Sequence, residues 1–109
     1  MPNSVSVENL RELLASPAPP IVIDVRRQQA FADSPATIPG SLRRLPESVE
    51  SWASELPTDG QIVVYCVHGH QVSQGVVSRL QQIGLRAAFL EGGIEHWKSH
   101  GGPVQHGGV

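Results

Sequence analysis

Two short apolar segments rich in β-branched residues, 21–25 and 61–65, constrain the fold of this chain more than any other feature. Their apolar residues are consecutive, whereas a strand with one solvated face alternates apolar and polar residues. Both segments are therefore typical of strands buried on two sides. Segments with apolar residues at helical spacing separate them. This alternation predicts an α/β fold of three layers, with helices on both faces of a mostly parallel central sheet of about five strands.

The same patterns predict the remaining elements. We expect strands at 21–25, 41–45, 61–65 and 86–90, and helices from Ser6 to before Pro17 and at 28–33, 46–56, 71–83 and 94–100. Ser6 is a predicted N-cap, and Gly84 is a predicted stop for the fourth helix. On that helix one face carries Val72, Val76, Leu80 and Ile83, and on the last helix Ile94 and Trp97 are expected to face inward.

Length and charge limit the functional classes. A chain of 109 residues has room for one domain, with a core at about 4–104 and a flexible tail at 105–109. A net charge of −2 gives no general attraction to nucleic acid or to an anionic membrane surface. No apolar run approaches the roughly 20 residues of a membrane helix, and the first residues lack the features of a secretory signal. We expect a cytoplasmic protein without nucleic-acid or membrane partners.

Cys66 is the single cysteine of the chain and directly follows the strand at 61–65. In parallel sheets the chemistry usually lies at the carboxyl ends of the strands, where Cys66 falls. The N-terminus of the following helix offers unpaired N–H groups that stabilise a thiolate, and Gly69 allows successive amides to converge on an anion. The sequence predicts a catalytic thiolate in an anion-binding loop formed by Val67, His68, Gly69, His70, Gln71 and Val72. The alternative is a small apolar residue that closes the core strand.

Three further side chains are candidates for supporting roles. Arg26 is expected to pair with a carboxylate near the mouth of the site, and Asp24 to accept hydrogen bonds from loop amides; a purely structural role is the alternative for both. Ser73 offers a hydroxyl to the loop. His68 and His70 either add positive potential to it or are exposed residues without a role.

Several segments resemble those of one family, the single-domain rhodaneses. The cysteine that ends a central strand and its short loop are the hallmark of this family, and residues 23–26 (IDVR) resemble its Asp-Val-Arg signature. Residues 37–41 (TIPGS) resemble its His-Ile-Pro-Gly-Ala segment, and residues 90–97 (LEGGIEHW) its Leu-x-Gly-Gly-x-x-x-Trp turn. The matches follow the family's order over nearly the whole chain. The resemblance implies the rhodanese-like three-layer α/β fold.

The resemblance also implies an activity, which is sulfur transfer. In that reaction Cys66 takes the outer sulfur of a donor such as thiosulfate, holds it as a persulfide and passes it to an acceptor. The acceptor is cyanide or a thiol, and the thiol can belong to a small molecule or to a protein. No cofactor or metal is expected. Distributed N–H donors suit a persulfide anion, because its charge sits on a large, soft atom.

The chain departs from the family pattern in its loop. Many members have Arg at the position of Gln71 and Ser or Thr at that of Val72, and Thr37 stands where the usual residue is histidine. Without the arginine a dianionic donor is expected to bind more weakly. A catalytically weak binding or sensing module therefore remains the alternative function.

Two further chemistries are disfavoured by the sequence. A phosphatase of this fold needs an arginine six residues after the cysteine, where this chain has Val72. A metal site formed by Cys66, His68 and His70 would lack a distant fourth ligand.

Overall fold

The computed structural model describes residues 3–105 and contains one sheet of five parallel strands. The strands lie in the order β1-β5-β4-β2-β3, and every neighbouring pair is parallel. The strands are β1 (Asn3–Val5), β2 (Ile21–Asp24), β3 (Leu42–Arg43), β4 (Gln61–Tyr65) and β5 (Arg86–Leu90). The helices are α1 (Val7–Leu14), α2 (Gln28–Asp33), α3 (Val49–Ala53), α4 (Gln71–Ile83) and α5 (Gly93–Ser99).

The sheet is buried on both faces, as its consecutive apolar residues predict. In β4, Ile62 and Val64 pack with α3 and α4, whereas Val63 and Tyr65 pack with α1 and α5. All four side chains are completely buried. The three-layer α/β fold predicted from the sequence is confirmed.

The predicted helices form, with small changes at their ends. The Ser6 side chain accepts a hydrogen bond from the Asn9 amide and caps α1. The helix predicted for 46–56 begins as a 3₁₀ turn, Pro46–Ser48, and continues as the shorter α3. Gly84 adopts a left-handed conformation with φ of 100° and ends α4 where the sequence predicts.

Four details differ from the sequence prediction. Residues 3–5 form an additional strand, and the strand predicted for 41–45 shortens to β3. Ile83 is 45% exposed, because the chain reverses at Gly84 and Leu85 packs into the core instead. Gln105, the first residue of the predicted tail, exchanges backbone hydrogen bonds with Thr37 at 2.9 and 2.7 Å. The rest of that predicted tail, 106–109, lies outside the described residues.

The register of β2 and β4 determines which loops meet. Asp24 lies beside Tyr65, and the Val25 amide donates to the Tyr65 carbonyl at 2.9 Å, so the two chains stay adjacent as they leave the sheet. The β2–α2 connection therefore borders the loop that contains Cys66. Within residues 3–105, no helix has the length and apolar character needed to cross a membrane.

Candidate active site

Cys66 lies directly after β4 and is 5% exposed. Its Sγ is 3.1 Å from the Oγ of Ser73, a fully buried residue in the first turn of α4. A protonated thiol donates to this hydroxyl, whereas a thiolate accepts a hydrogen bond from it. Residues 66–72, the connection after β4 together with the first two residues of α4, are hereafter called the cysteine loop. This segment folds back so that α4 contacts the sulfur.

The turn at 91–92 and the start of α5 hold the cysteine loop in place from behind. The amides of Ile94 and Glu95, in the first turn of α5, donate to the carbonyls of Cys66 and Val67 at 3.0 and 3.1 Å. A Cβ on Gly93, whose φ is +64°, would lie 2.3 Å from the Val67 oxygen. Gly69, with φ of +73°, fits equally closely, since its Cβ would lie 2.7 Å from the Leu90 oxygen. Glycine is required at both positions by conformation and by space.

The amides of the cysteine loop are left available by this arrangement. None of the N–H groups of residues 67–73 donates a hydrogen bond to another group within the described range, 3–105. The first bond at the start of α4 runs from the Gln74 amide to the His70 carbonyl. The segment from Val67 to Ser73 therefore carries seven consecutive amides without an acceptor in the described range, and it ends at a helix N-terminus, which itself carries partial positive charge.

A cavity of about 240 Å³ opens onto Cys66. The cysteine loop forms one wall and the β2–α2 connection forms the other. The lining residues are Arg26, Arg27, Ala30, Cys66, Val67, His68, His70, Gln71 and Val72. Of the predicted loop residues, only Gly69 does not line it, because Gly69 packs against the turn behind the loop.

Asp24 and Arg26 form a buried ion pair beside this cavity. Arg26 Nη2 and Asp24 Oδ2 are 2.7 Å apart, and the two side chains are 1% and 0% exposed. The remaining Arg26 donors bind the carbonyls of Ser34 and Ala36. Asp24 also accepts from the Arg26 amide at 3.0 Å, as expected of a residue that holds loop amides. The pair fixes the β2–α2 connection, and the guanidinium charge is neutralised within it.

Tyr65, the residue before Cys66, is hydrogen-bonded to the 38–41 segment through its hydroxyl. Its hydroxyl accepts a hydrogen bond from the Ile38 amide at 3.2 Å and lies 3.1 Å from the Ser41 hydroxyl. Burial, followed by the nearby Asp24 charge, raises the pKa of Tyr65 to about 12. The phenol therefore stays protonated near neutral pH and acts as a structural hydrogen-bonding group.

His68 and His70 are exposed on the outer part of the cysteine loop, with ring centroids 6.2 Å apart. They line the Cys66 cavity and also a groove on the other side of the loop that includes His96. Across residues 3–105, no three Cys, His, Asp or Glu side chains are arranged to hold a metal ion. Cys66, His68 and His70 are therefore not positioned as a common ligand set.

Arg27 is a cavity-lining residue that the sequence reasoning missed. It directly follows Arg26, and its exposed side chain borders both the Cys66 cavity and an adjoining groove. The sequence signal that could have identified Arg27 is its position just after β2. Since parallel strands end at one edge of the sheet, any polar residue just after β2 was a candidate neighbour of Cys66.

Comparison with known proteins agrees with this geometry. Residues 6–100 match the family model described as "Rhodanese-like domain". The chain is 31% identical over 104 residues to a protein of Allochromatium vinosum named sulfurtransferase, covering 95% of each chain. It is 30% identical over 95 residues to the thiosulfate sulfurtransferase GlpE of Pseudomonas aeruginosa, covering 87% of this chain and 83% of the relative.

A solved structure shows the same fold. The crystal structure of a rhodanese-related protein from Thermoplasma volcanium superposes with a TM-score of 0.81 at 28% identity, over 94% of this chain and 97% of the other. The fold and the matched length agree. This chain belongs to the rhodanese-like domain family.

Proposed function

We propose that this protein is a sulfurtransferase that moves a sulfane sulfur from a donor such as thiosulfate to cyanide or a thiol through a persulfide on Cys66. The observation that carries the proposal is the environment of the sulfur. Cys66 Sγ contacts the Ser73 hydroxyl, and the seven amides of residues 67–73 have no acceptor among the described residues. This environment supports an anionic sulfur, first as thiolate and then as persulfide.

The proposed cycle consists of two displacements at sulfur. The Cys66 thiolate attacks the outer sulfur of thiosulfate, a new S–S bond forms, and the old S–S bond breaks as sulfite leaves with its electron pair. Cyanide or a thiolate then attacks the outer sulfur of the persulfide and restores the Cys66 thiolate. Neither step needs an external oxidant or reductant. Loop amides would stabilise the charge on sulfur throughout.

Cavity size and family membership support a small donor. The cavity of about 240 Å³ beside Cys66 accommodates a small anion and leaves one side of the sulfur accessible to an acceptor. The Pseudomonas aeruginosa relative is named a thiosulfate sulfurtransferase, which favours thiosulfate as the first donor to test. Acceptor thiols, on small molecules or proteins, would be supplied by a reducing cytoplasm.

Phosphoryl transfer has less support from the site. Phosphate binding in such a loop relies on a guanidinium that clamps the transferred group. Val72 occupies the corresponding position, and Arg79, the next Arg or Lys after Cys66, pairs with Glu50 at 2.8 Å.

The direct test is a mass measurement on the intact protein. Incubation with thiosulfate should add the mass of one sulfur atom to the wild-type chain, and subsequent cyanide should remove it. Cys66→Ser is the matched control and should gain nothing, since it lacks the nucleophile.

The contrary result would point to the binding or sensing module. If the wild-type protein stayed unshifted with thiosulfate and with several other sulfane donors, the departures at Gln71 and Val72 would mark a site without transfer activity.

A further inference from the structure

An anionic donor needs positive charge near Cys66, and the obvious sources do not provide it. Gln71 and Val72 are neutral. Arg26 lines the cavity, but it is 1% exposed and all three of its nitrogens are engaged, with Asp24 balancing its charge. Backbone amides supply partial charges only. Binding of such a donor therefore requires a cation that is not already paired.

Arg27 meets this requirement. It is exposed, it lines the Cys66 cavity, and within residues 3–105 it forms no salt bridge and donates no side-chain hydrogen bond. Together with Gln71 and Val72 it lines both the Cys66 cavity and the adjoining groove. A guanidinium at this point is free to form a bidentate contact with a tetrahedral oxyanion.

Other charged groups near the cavity are less suited to this role. Glu47 lines the adjoining groove with Arg27 but not the Cys66 cavity, and it does not pair with Arg27. His68 and His70 belong to the cysteine loop itself and are divided between the cavity and the groove behind the loop. Arg27 is thus the permanently charged, unpaired cation on the cavity wall among the described residues.

We propose that Arg27 is the specificity-determining residue of the site and binds the sulfonate end of thiosulfate while the outer sulfur reaches Cys66. The proposal rests on the sulfurtransferase function proposed above. It moves the source of donor selectivity from the cysteine loop to the β2–α2 connection. The cation contributes binding, whereas the loop amides stabilise the sulfur that is transferred.

The test compares two donors that differ at the end away from the transferred sulfur. Thiosulfate carries an anionic sulfonate there, and methanethiosulfonate carries a neutral methylsulfonyl group. Arg27→Gln should lower kcat/KM for thiosulfate by about 10- to 100-fold, mainly through KM, as expected for the loss of one charged hydrogen-bonded contact. The same variant should change kcat/KM for methanethiosulfonate by less than about threefold, because its sulfonyl oxygens lack the full oxyanion charge that a guanidinium binds strongly. Arg27→Lys should recover part of the thiosulfate activity.

Arg86→Gln is the matched control. Arg86 is also exposed and unpaired among the described residues, but it lies at the start of β5, at the opposite end of the sheet. Arg86→Gln alters the net charge by the same amount as Arg27→Gln. Unchanged thiosulfate kinetics in Arg86→Gln would therefore attribute the lower kcat/KM of Arg27→Gln to a local contact with the donor.

Two results would overturn the inference. Equal thiosulfate kinetics in Arg27→Gln and Arg86→Gln would show that Arg27 does not bind the donor. Equal losses with both donors would show a structural role instead. If the wild-type chain accepts sulfur from neither donor, the proposed sulfurtransferase function itself fails, and the role of Arg27 fails with it. That result differs from the two above, in which the wild-type chain is active.

Discussion

Tyr65 connects the β4 strand to the segment that passes beneath the site. Its hydroxyl holds the Ile38 amide and the Ser41 side chain, and its ring lies 5.9 Å from the Arg26 guanidinium carbon. Deprotonation would place a second negative charge beside Asp24 in a buried region. Burial and the Asp24 charge are accordingly the two causes that raise its pKa.

This shift predicts a stability change at alkaline pH. The Tyr65 pKa rises from 10.0 in the unfolded chain to about 12 in the folded protein, so the unfolded state loses its proton first. The contribution of protonated Tyr65 to the free energy of unfolding is complete below pH 10.0 and is lost as pH rises to about 12. Its size is about 2–3 kcal/mol, and urea unfolding across this range measures it. Tyr65→Phe should flatten the slope, and an identical slope in this variant would contradict the assignment.

Two adjacent arginines show what sequence can establish about single residues. Arg26 and Arg27 are chemically alike, yet one is buried against Asp24 and the other is exposed at the cavity. The position of Cys66 was predictable because a continuous apolar run ends immediately before it. Which guanidinium is neutralised depends on the path of residues 34–36, and no local pattern encodes that path.

At the scale of elements, the cysteine loop depends on the first turn of α5, which begins at Gly93. Gly93→Ala should destabilise the protein by several kcal/mol, because the added Cβ meets the Cys66 and Val67 carbonyls at 2.5 and 2.3 Å as well as adopting a strained φ. Sulfur loading of Cys66 should also slow, since the loop must shift. Chemical denaturation and the intact-mass assay measure the two effects.

Gly40→Ala is the control for conformation alone. Gly40 has φ of +81°, but its Cβ would meet nothing within 4 Å. We expect a cost of only about 1–2 kcal/mol and normal sulfur loading. Equal costs for the two substitutions would mean that contact with the cysteine loop contributes nothing.

The elements that sequence missed are those defined by their neighbours. Strand β1 has three residues and is mostly exposed, so its strand character comes from pairing with β5 rather than from apolar periodicity. The long helix α4 was predicted with its observed bounds because its apolar spacing is regular. Ile83 continues that spacing, but the reversal at Gly84 supplies Leu85 to the core in its place.

At the scale of the whole molecule, two apolar clusters lie on opposite faces of one sheet. Trp52 belongs to one cluster and donates to the Leu45 carbonyl at 2.8 Å. Trp97 belongs to the other and donates to the Pro103 carbonyl at 2.7 Å. Since β4 contributes side chains to both clusters, disrupting either one removes support from the other.

The shared strand predicts cooperative unfolding. Trp52→Phe and Trp97→Phe each leave one tryptophan, which reports on the opposite cluster. In each variant the fluorescence and far-ultraviolet circular dichroism midpoints should coincide. Both variants should be about 1–3 kcal/mol less stable than the parent, because each loses a part-buried indole hydrogen bond and some apolar contact in its cluster. Separate midpoints would indicate two independently unfolding layers.

The anchoring of the cysteine loop by α5 imposes an order on biosynthesis. A ribosome adds Cys66 well before Ile94 and Glu95, whose amides hold the loop carbonyls, and before β5, with which the first strand pairs. Until those residues emerge, Cys66 lacks the hydrogen bonds that position its loop in the folded protein. Because folding of a domain follows the emergence of its partners, the proposed sulfur transfer requires that translation has passed the first turn of α5.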